Sequence, residues 1–228
     1  MIRTLFVDAG GVLYNNINEE TDFLVRVADN YGVHREELAR SIEERAHVYE
    51  SGAQPVHQVL QRLITNAQRP PRGGRVDVRW LDHAYLESVR AYDDNFRALR
   101  KIREVRPDLR LVLTNNEAEH WDRLKDEAFG HFAMFDALCS SWRICRVKPA
   151  RSFFVEALHS CRATAAETLV IDDRRTVLRT ASALGMPTLH VAVPDVFADW
   201  LWSAVHDARP AGLSAARPHH GGNGLTPR

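Results

Sequence analysis

Residues 2–7 (IRTLFV) close in an unbroken apolar run, without the in-and-out alternation of a strand that has one wet face. They predict a short strand covered on both sides. Similar short runs recur at 109–113, 168–171 and 187–191. Helical spacing separates them. Phe96, Leu99, Ile102 and Val105 mark a helix over 93–105, and Phe153, Phe154, Ala157, Leu158 and Cys161 mark one over 150–161. Val177, Leu178, Ala181 and Leu184 mark a third over 176–184, which Gly185 and Pro187 would end. Strands alternating with helices predict an α/β fold built on a doubly wound, Rossmann-like parallel sheet.

The segment 15–92 breaks this alternation. It shows helical periodicity only, over 21–31, 34–50, 55–66 and 78–92, and reads as a helical domain inserted into a core made of 1–14 and 93–206. Within it, residues 67–79 (AQRPPRGGRVDVR) form a basic loop carrying Arg69, Arg72, Arg75 and Arg79. From 207 to 228, Pro, Gly and small residues dominate, so a disordered tail is expected there, and its His219-His220 pair makes at most a weak, adventitious metal site.

Composition narrows the picture. The 228 residues suffice for one core plus a small insertion, and 30 basic residues balance 30 acidic ones. A nucleic-acid partner is not expected, because phosphate binding calls for a basic excess. No apolar stretch approaches membrane-spanning length, and Asp8 interrupts the N-terminal apolar run too early for a signal peptide. Cys139, Cys145 and Cys161 are odd in number and form no CxxC pair, so free thiols and a cytoplasmic location are expected. Nothing in the pattern fixes an oligomeric state.

The polar residues that end the strands carry the chemistry. The first strand ends in Asp8, the second in Thr114-Asn115-Asn116, and the third in Asp172-Asp173. In a doubly wound sheet these positions converge on one crevice, and Lys148, just before a helix, is placed to reach it. Taken singly, each has a plainer reading: an aspartate as helix cap, Asn115 as turn residue, Lys148 as surface lysine. Together they suggest more. Clustered carboxylates repel and call for a cation, and all-oxygen ligation with a phosphate to complete the shell suits Mg2+. Asp8 is a candidate nucleophile toward phosphorus. Lys148 would offset phosphoryl charge, Thr114 would bond a phosphoryl oxygen, and Gly10 and Gly11 would let backbone amides approach the phosphate.

This ordered set resembles the four motifs of the haloacid dehalogenase-like hydrolases. LFVDAGGVL matches the first with Asp8 as nucleophile, LVLTNN the second with Thr114, VKPARSFF the third with Lys148, and LVIDDRRTVLRTASALGM the fourth with Asp172 and Asp173. The helical block resembles the type-one cap of that family, and Glu50-x-Gly52 followed by Pro55 is similar to a segment common in such caps. The resemblance spans roughly residues 1–195. It implies magnesium held by Asp8, the Gly10 carbonyl, Asp172 and Asp173, with Asp173 as the nearer of the last two. It implies substrate contacts from Gly11 and Asn115. It further implies a magnesium-dependent phosphatase acting on a small phosphorylated metabolite through an aspartyl-phosphate, beneath a cap that selects the substrate.

One position departs from the pattern. Most phosphatases of the family carry a second aspartate two residues after the nucleophile, where this chain has Gly10. That aspartate serves as general acid and base, and Glu19, Glu50, His57 and a metal-bound water are the candidates to replace it. Two other readings follow. A 2-haloacid dehalogenase also lacks that aspartate, though it typically carries a serine–asparagine pattern where Asp172-Asp173 stands. A catalytically weak binding protein would account for the missing acid–base group, but has no physical need for the charge cluster.

Overall fold

The computed structural model describes residues 1–66 and 75–206. Five parallel strands build the core: β1 (Thr4–Val7), β2 (Arg110–Leu113), β3 (Ala137–Leu138), β4 (Thr168–Asp172) and β5 (Thr188–His190), in the order β3-β2-β1-β4-β5. Helices α1 (Ile17–Glu20), α2 (Phe23–Tyr31), α3 (Arg35–Glu50), α4 (Val56–Thr65) and α5 (Val78–Ser88) follow β1 as one block. The rest belong to the sheet: α6 (Asp93–Val105), α7 (Glu119–Phe129), α8 (Ser141–Ile144), α9 (Arg151–Cys161), α10 (Arg175–Ala183) and α11 (Phe197–His206).

The unbroken apolar runs have a simple cause. Successive strand side chains point to opposite faces, and both faces are covered. Leu5, Val7, Leu111, Leu113 and Ile171 pack with Phe96, Leu99 and Ile102 of α6 and Phe197 and Leu201 of α11. Phe6, Val112 and Val170 face the other way, onto Phe153, Phe154 and Ala157 of α9 and Val177 and Ala181 of α10.

The inserted helices form a third apolar cluster from Phe23, Val27, Leu38, Ile42, Val59, Leu60, Leu81 and Tyr85, among others. Trp121 of α7 enters it, stacking on Tyr85 at 4.5 Å between ring centroids and meeting Phe23 edge-on at 5.5 Å. The two chain passages joining block and sheet are fastened by Asn15. Its amide donates to the Ser88 carbonyl at 3.0 Å, and its Oδ1 accepts from the Arg90 amide at 2.7 Å.

Some expectations shift. The helix expected over 78–92 ends at Ser88, because the chain must turn back beside residue 14 to re-enter the sheet. Strand β3 and helices α7, α8 and α11 were not singled out by periodicity. Arg75 and Arg79 are exposed, whereas Arg69, Arg72 and the tail 207–228 lie outside the described residues.

Candidate active site

Strand register assembles the site. Val7 pairs with Leu113 on one side and with Ile171 on the other, so the next residue, Asp8, leaves the sheet between Thr114 and Asp172. The backbone continues the ladder there: the Thr114 amide donates to Val7 at 2.9 Å and the Asp8 amide to Ile171 at 3.0 Å. All three residues are buried.

Lys148 reaches this point from the loop before α9. Its Nζ lies 2.7 Å from Asp172 Oδ2 and 3.0 Å from Asp8 Oδ1. A reciprocal pair of hydrogen bonds fixes its backbone, with Asn116 Nδ2 donating to the Lys148 carbonyl and the Lys148 amide donating to Asn116 Oδ1, each at 2.9 Å. Asp172 Oδ1 also accepts from the Arg174 amide at 2.9 Å at the entry of α10, so its helix-capping and charge roles coexist.

Asp173 completes the group. Carboxylate oxygens of Asp8, Asp172 and Asp173 lie within 4.8 Å of one another. Asn16, from the start of the inserted block, donates to Asp173 Oδ2 at 2.9 Å, while Asp173 Oδ1 is buried without a partner. Burial pushes the Asp8 carboxyl up to about 8, against the pull of Lys148 and with further push from Asp172 and Asp173. Burial, more than its neighbours, likewise raises Asp173. For Lys148 burial acts downward, yet Asp172 and Asp8 outweigh it and hold the ammonium above the usual lysine value. Lys148, with Arg174 further out, thus faces three carboxylates, a donor set still short of positive charge. The unpartnered Asp173 oxygen and the all-oxygen ligands fit a magnesium ion.

Gly11 differs from expectation. The Gly11 amide donates to the Tyr14 carbonyl at 2.7 Å, so it is not free to cradle a phosphate. Gly11 matters for its smallness: its φ is +67°, and a Cβ there would sit 2.3 Å from Asp173 Oδ2. At Gly10 a Cβ would lie 2.6 Å from Asn16 Oδ1. Asn16 therefore fills the space that a side chain at position 10 would need, and no motif pointed to it.

A cavity of about 110 Å³ opens at the turn that follows Asp8, lined by Ala9, Gly10, Asn16, Glu19, Glu50 and Arg174, among others. Asn115 also borders it, but its side-chain amide turns away to Asp122 Oδ1 at 2.9 Å, because Asp122 is a buried acceptor that also takes Ser140 Oγ and Trp142 Nε1, each at 2.8 Å. The Nδ2 of the side chain expected on substrate is thus tied to structure, while its Oδ1 is buried without a hydrogen-bond partner. Of the acid–base candidates, Glu19 pairs with Arg174 at 2.6 Å across the mouth. Burial raises Glu50 to about 7, with Glu117 adding and Arg174 and Lys148 opposing. His57 lies elsewhere, 2.9 Å from Asp82.

A doubly wound sheet with a carboxylate cluster and a lysine at its carboxyl edge defines a Rossmann-like hydrolase scaffold. The sequence profile of the haloacid dehalogenase-like hydrolases matches residues 2–185, and the chain belongs to that family. A search of curated protein sequences returns no significant match. Among solved structures, a HAD family enzyme from Bacteroides thetaiotaomicron in complex with magnesium is similar, with 19% identity and a TM-score of 0.68 over 83% of this chain and 92% of that one. The same enzyme is also known with magnesium and inorganic phosphate. L-2-haloacid dehalogenase from Xanthobacter autotrophicus is similar as well, with 15% identity and a TM-score of 0.58 over 92% of this chain and 85% of that one. At such identities the likeness is one of fold. Among the described residues no helix is long and apolar enough to cross a membrane.

Proposed function

We propose that the protein is a magnesium-dependent phosphatase that hydrolyses a small phosphorylated metabolite in the cytoplasm, through an aspartyl-phosphate on Asp8. The observation that carries this reading is the Asp8–Asp172–Asp173 cluster with its unpartnered buried oxygen. Asp8, the Gly10 carbonyl, Asp172 and Asp173 would hold the ion, which when bound would offset charge between a carboxylate nucleophile and an anionic phosphoryl group.

The chain's own groups divide the remaining work. Asp8 Oδ1 is engaged by the Ala9 amide at 2.7 Å and by Lys148, which leaves Oδ2 to attack phosphorus. A bond forms between Oδ2 and phosphorus while the ester P–O bond breaks. Lys148 and the Thr114 hydroxyl bind phosphoryl oxygens. Glu50 gives its proton to the departing oxygen, then takes one from the water that cleaves the aspartyl-phosphate. The inserted helices act as the cap, excluding water and shaping the cavity. Its volume of about 110 Å³ suits a small ester.

Gly10 and the fold shared with a dehalogenase favour a second reading, carbon–halogen cleavage by Asp8. One experiment separates them. The purified protein is assayed on a panel of small phosphate monoesters and on 2-haloacids, with and without a chelator, beside Asp8→Asn. Phosphate release that needs magnesium and is lost in the variant is expected. Chelator-resistant halide release would replace this reading, and no turnover of either kind above the variant would make the protein a binding module.

A further inference from the structure

Away from the cavity at the turn after Asp8, three side chains from three helices meet in a small polar cluster. His57 stands on α4 and Asp82 on α5, both in the inserted block, whereas His120 opens α7 on the sheet side. Asp82 Oδ1 lies 2.9 Å from His57 Nε2, and Asp82 Oδ2 lies 2.9 Å from His120 Nε2. The two imidazole rings are 4.3 Å apart between centroids, and one donor atom from each residue falls within 4.8 Å of the others. None of the three lines that cavity.

We propose that His57, Asp82 and His120 form a second metal site, which takes a borderline transition ion of the zinc type and fastens the helical block to the sheet. The donor set decides the ion. Two imidazoles and one carboxylate suit Zn2+ or Co2+, whereas magnesium prefers the all-oxygen cluster at Asp8. Size also fits. Ligand bonds of about 2.0–2.2 Å in a tetrahedral site place neighbouring donors roughly 3.3 Å apart; one donor atom from each residue already lies within 4.8 Å of the others, so the three close on the ion by a small shift. His120 is 42% exposed, which leaves an entry path and an open position for water. In the metal-free cluster each Nε2 donates its proton to Asp82. When the ion takes Nε2, that N–H bond breaks, its proton leaves to solvent and Nδ1 takes one up, so the neutral ring carries its proton on Nδ1. The two hydrogen bonds to Asp82 thus give way to metal bonds. Because the ligands come from both sides of the junction, an occupied site resists their separation.

The test uses the full-length chain carrying His219→Ala and His220→Ala, which removes the tail pair as a competing site, in the presence of excess magnesium. Co2+ is titrated and followed by its visible absorption, with Zn2+ as displacer, and thermal unfolding is recorded in parallel. One equivalent of low-coordinate Co2+, displaced by Zn2+, and a rise in Tm with Zn2+ are expected. His57→Gln and His120→Ala should each weaken binding at least tenfold and remove the rise in Tm, with unchanged circular dichroism as the check on folding. Asp173→Asn should leave both signals in place. Absence of binding in the folded parent, or binding unaffected by the two histidine variants, would reduce the cluster to a hydrogen-bonded tie and overturn the proposal. Neither readout depends on hydrolysis, so this result and the phosphatase result stand or fall separately.

Discussion

Glu50 enters the cavity from the last residue of α3, where burial raises its carboxyl to about 7. A carboxyl that holds its proton near neutrality can donate it to a leaving oxygen, and it must be protonated for the first step. With magnesium saturating, so that the cation offsets the burial that raises Asp8 and keeps it a carboxylate, kcat/KM should fall with rising pH through about 7. Glu50→Gln should lose that inflection and lower kcat by about 100-fold, as steady-state pH profiles would show. Position 11 makes a different demand. An alanine at φ +67° would be strained and would place its Cβ 2.3 Å from Asp173 Oδ2. Gly11→Ala is expected to lose about 1–2 kcal/mol of stability in urea unfolding and to raise the magnesium needed for half-maximal rate more than tenfold. Asp8, Lys148 and the acidic pair were legible from the sequence because each ends a strand or precedes a helix within a recognisable run. Asn16 was not, nor was the positioning part of Asn116. They act by hydrogen bonds to Asp173 and Lys148, 157 and 32 residues away, and such bonds leave no local pattern.

Helix α7 shows why periodicity can miss an element. Its buried face carries Trp121, but also Asp122 and Lys125, so charged residues occupy positions that hydrophobic spacing assigns to solvent. These charges are satisfied inside. Lys125 Nζ bonds Glu117 at 2.6 Å, and Asp122 gathers Asn115, Ser140 and Trp142 from the end of β2 and from α8 with its preceding loop. For Asp122 burial pushes upward, but His131, Lys125, Trp142 and Ser140 together hold the pKa down to about 2. A depressed carboxyl stabilises the fold above its unfolded value of about 3.9 and loses that contribution as pH falls toward about 2. Unfolding free energy should therefore drop on the order of 2 kcal/mol more across that window than in Asp122→Asn, measured by denaturant titration at each pH. Strand β3 escaped notice for another reason. Its two residues, Ala137–Leu138, are too few to show any period.

Across the whole molecule, the cavity exists because two layers built on separate cores close on each other. Asn16 to Asp173, Glu19 to Arg174, Tyr85 to Glu117 and the Glu50 carbonyl to Ser141 Oγ all cross that junction. The Arg174–Glu19 pair is largely exposed, and such pairs contribute roughly 0–1 kcal/mol. Arg174→Ala should thus leave the thermal midpoint nearly unchanged while raising KM for a phosphorylated substrate several-fold, since its guanidinium borders the cavity. An equal fall in kcat with unchanged KM would place its role in the chemical step instead.

The sequence alone determined the α/β class, the helical insertion after the first strand and the residues at the strand ends. Those features rest on local periodicity and on the rule that parallel strands present their carboxyl ends to one crevice. Tertiary structure decided which strand lies beside which, that Asn16 bonds Asp173, that Glu50 rather than His57 faces the cavity, and that His57 meets Asp82 and His120 across the junction. Each of these is a contact between segments distant in the chain. It is set by how whole faces pack, and no short window of residues encodes it.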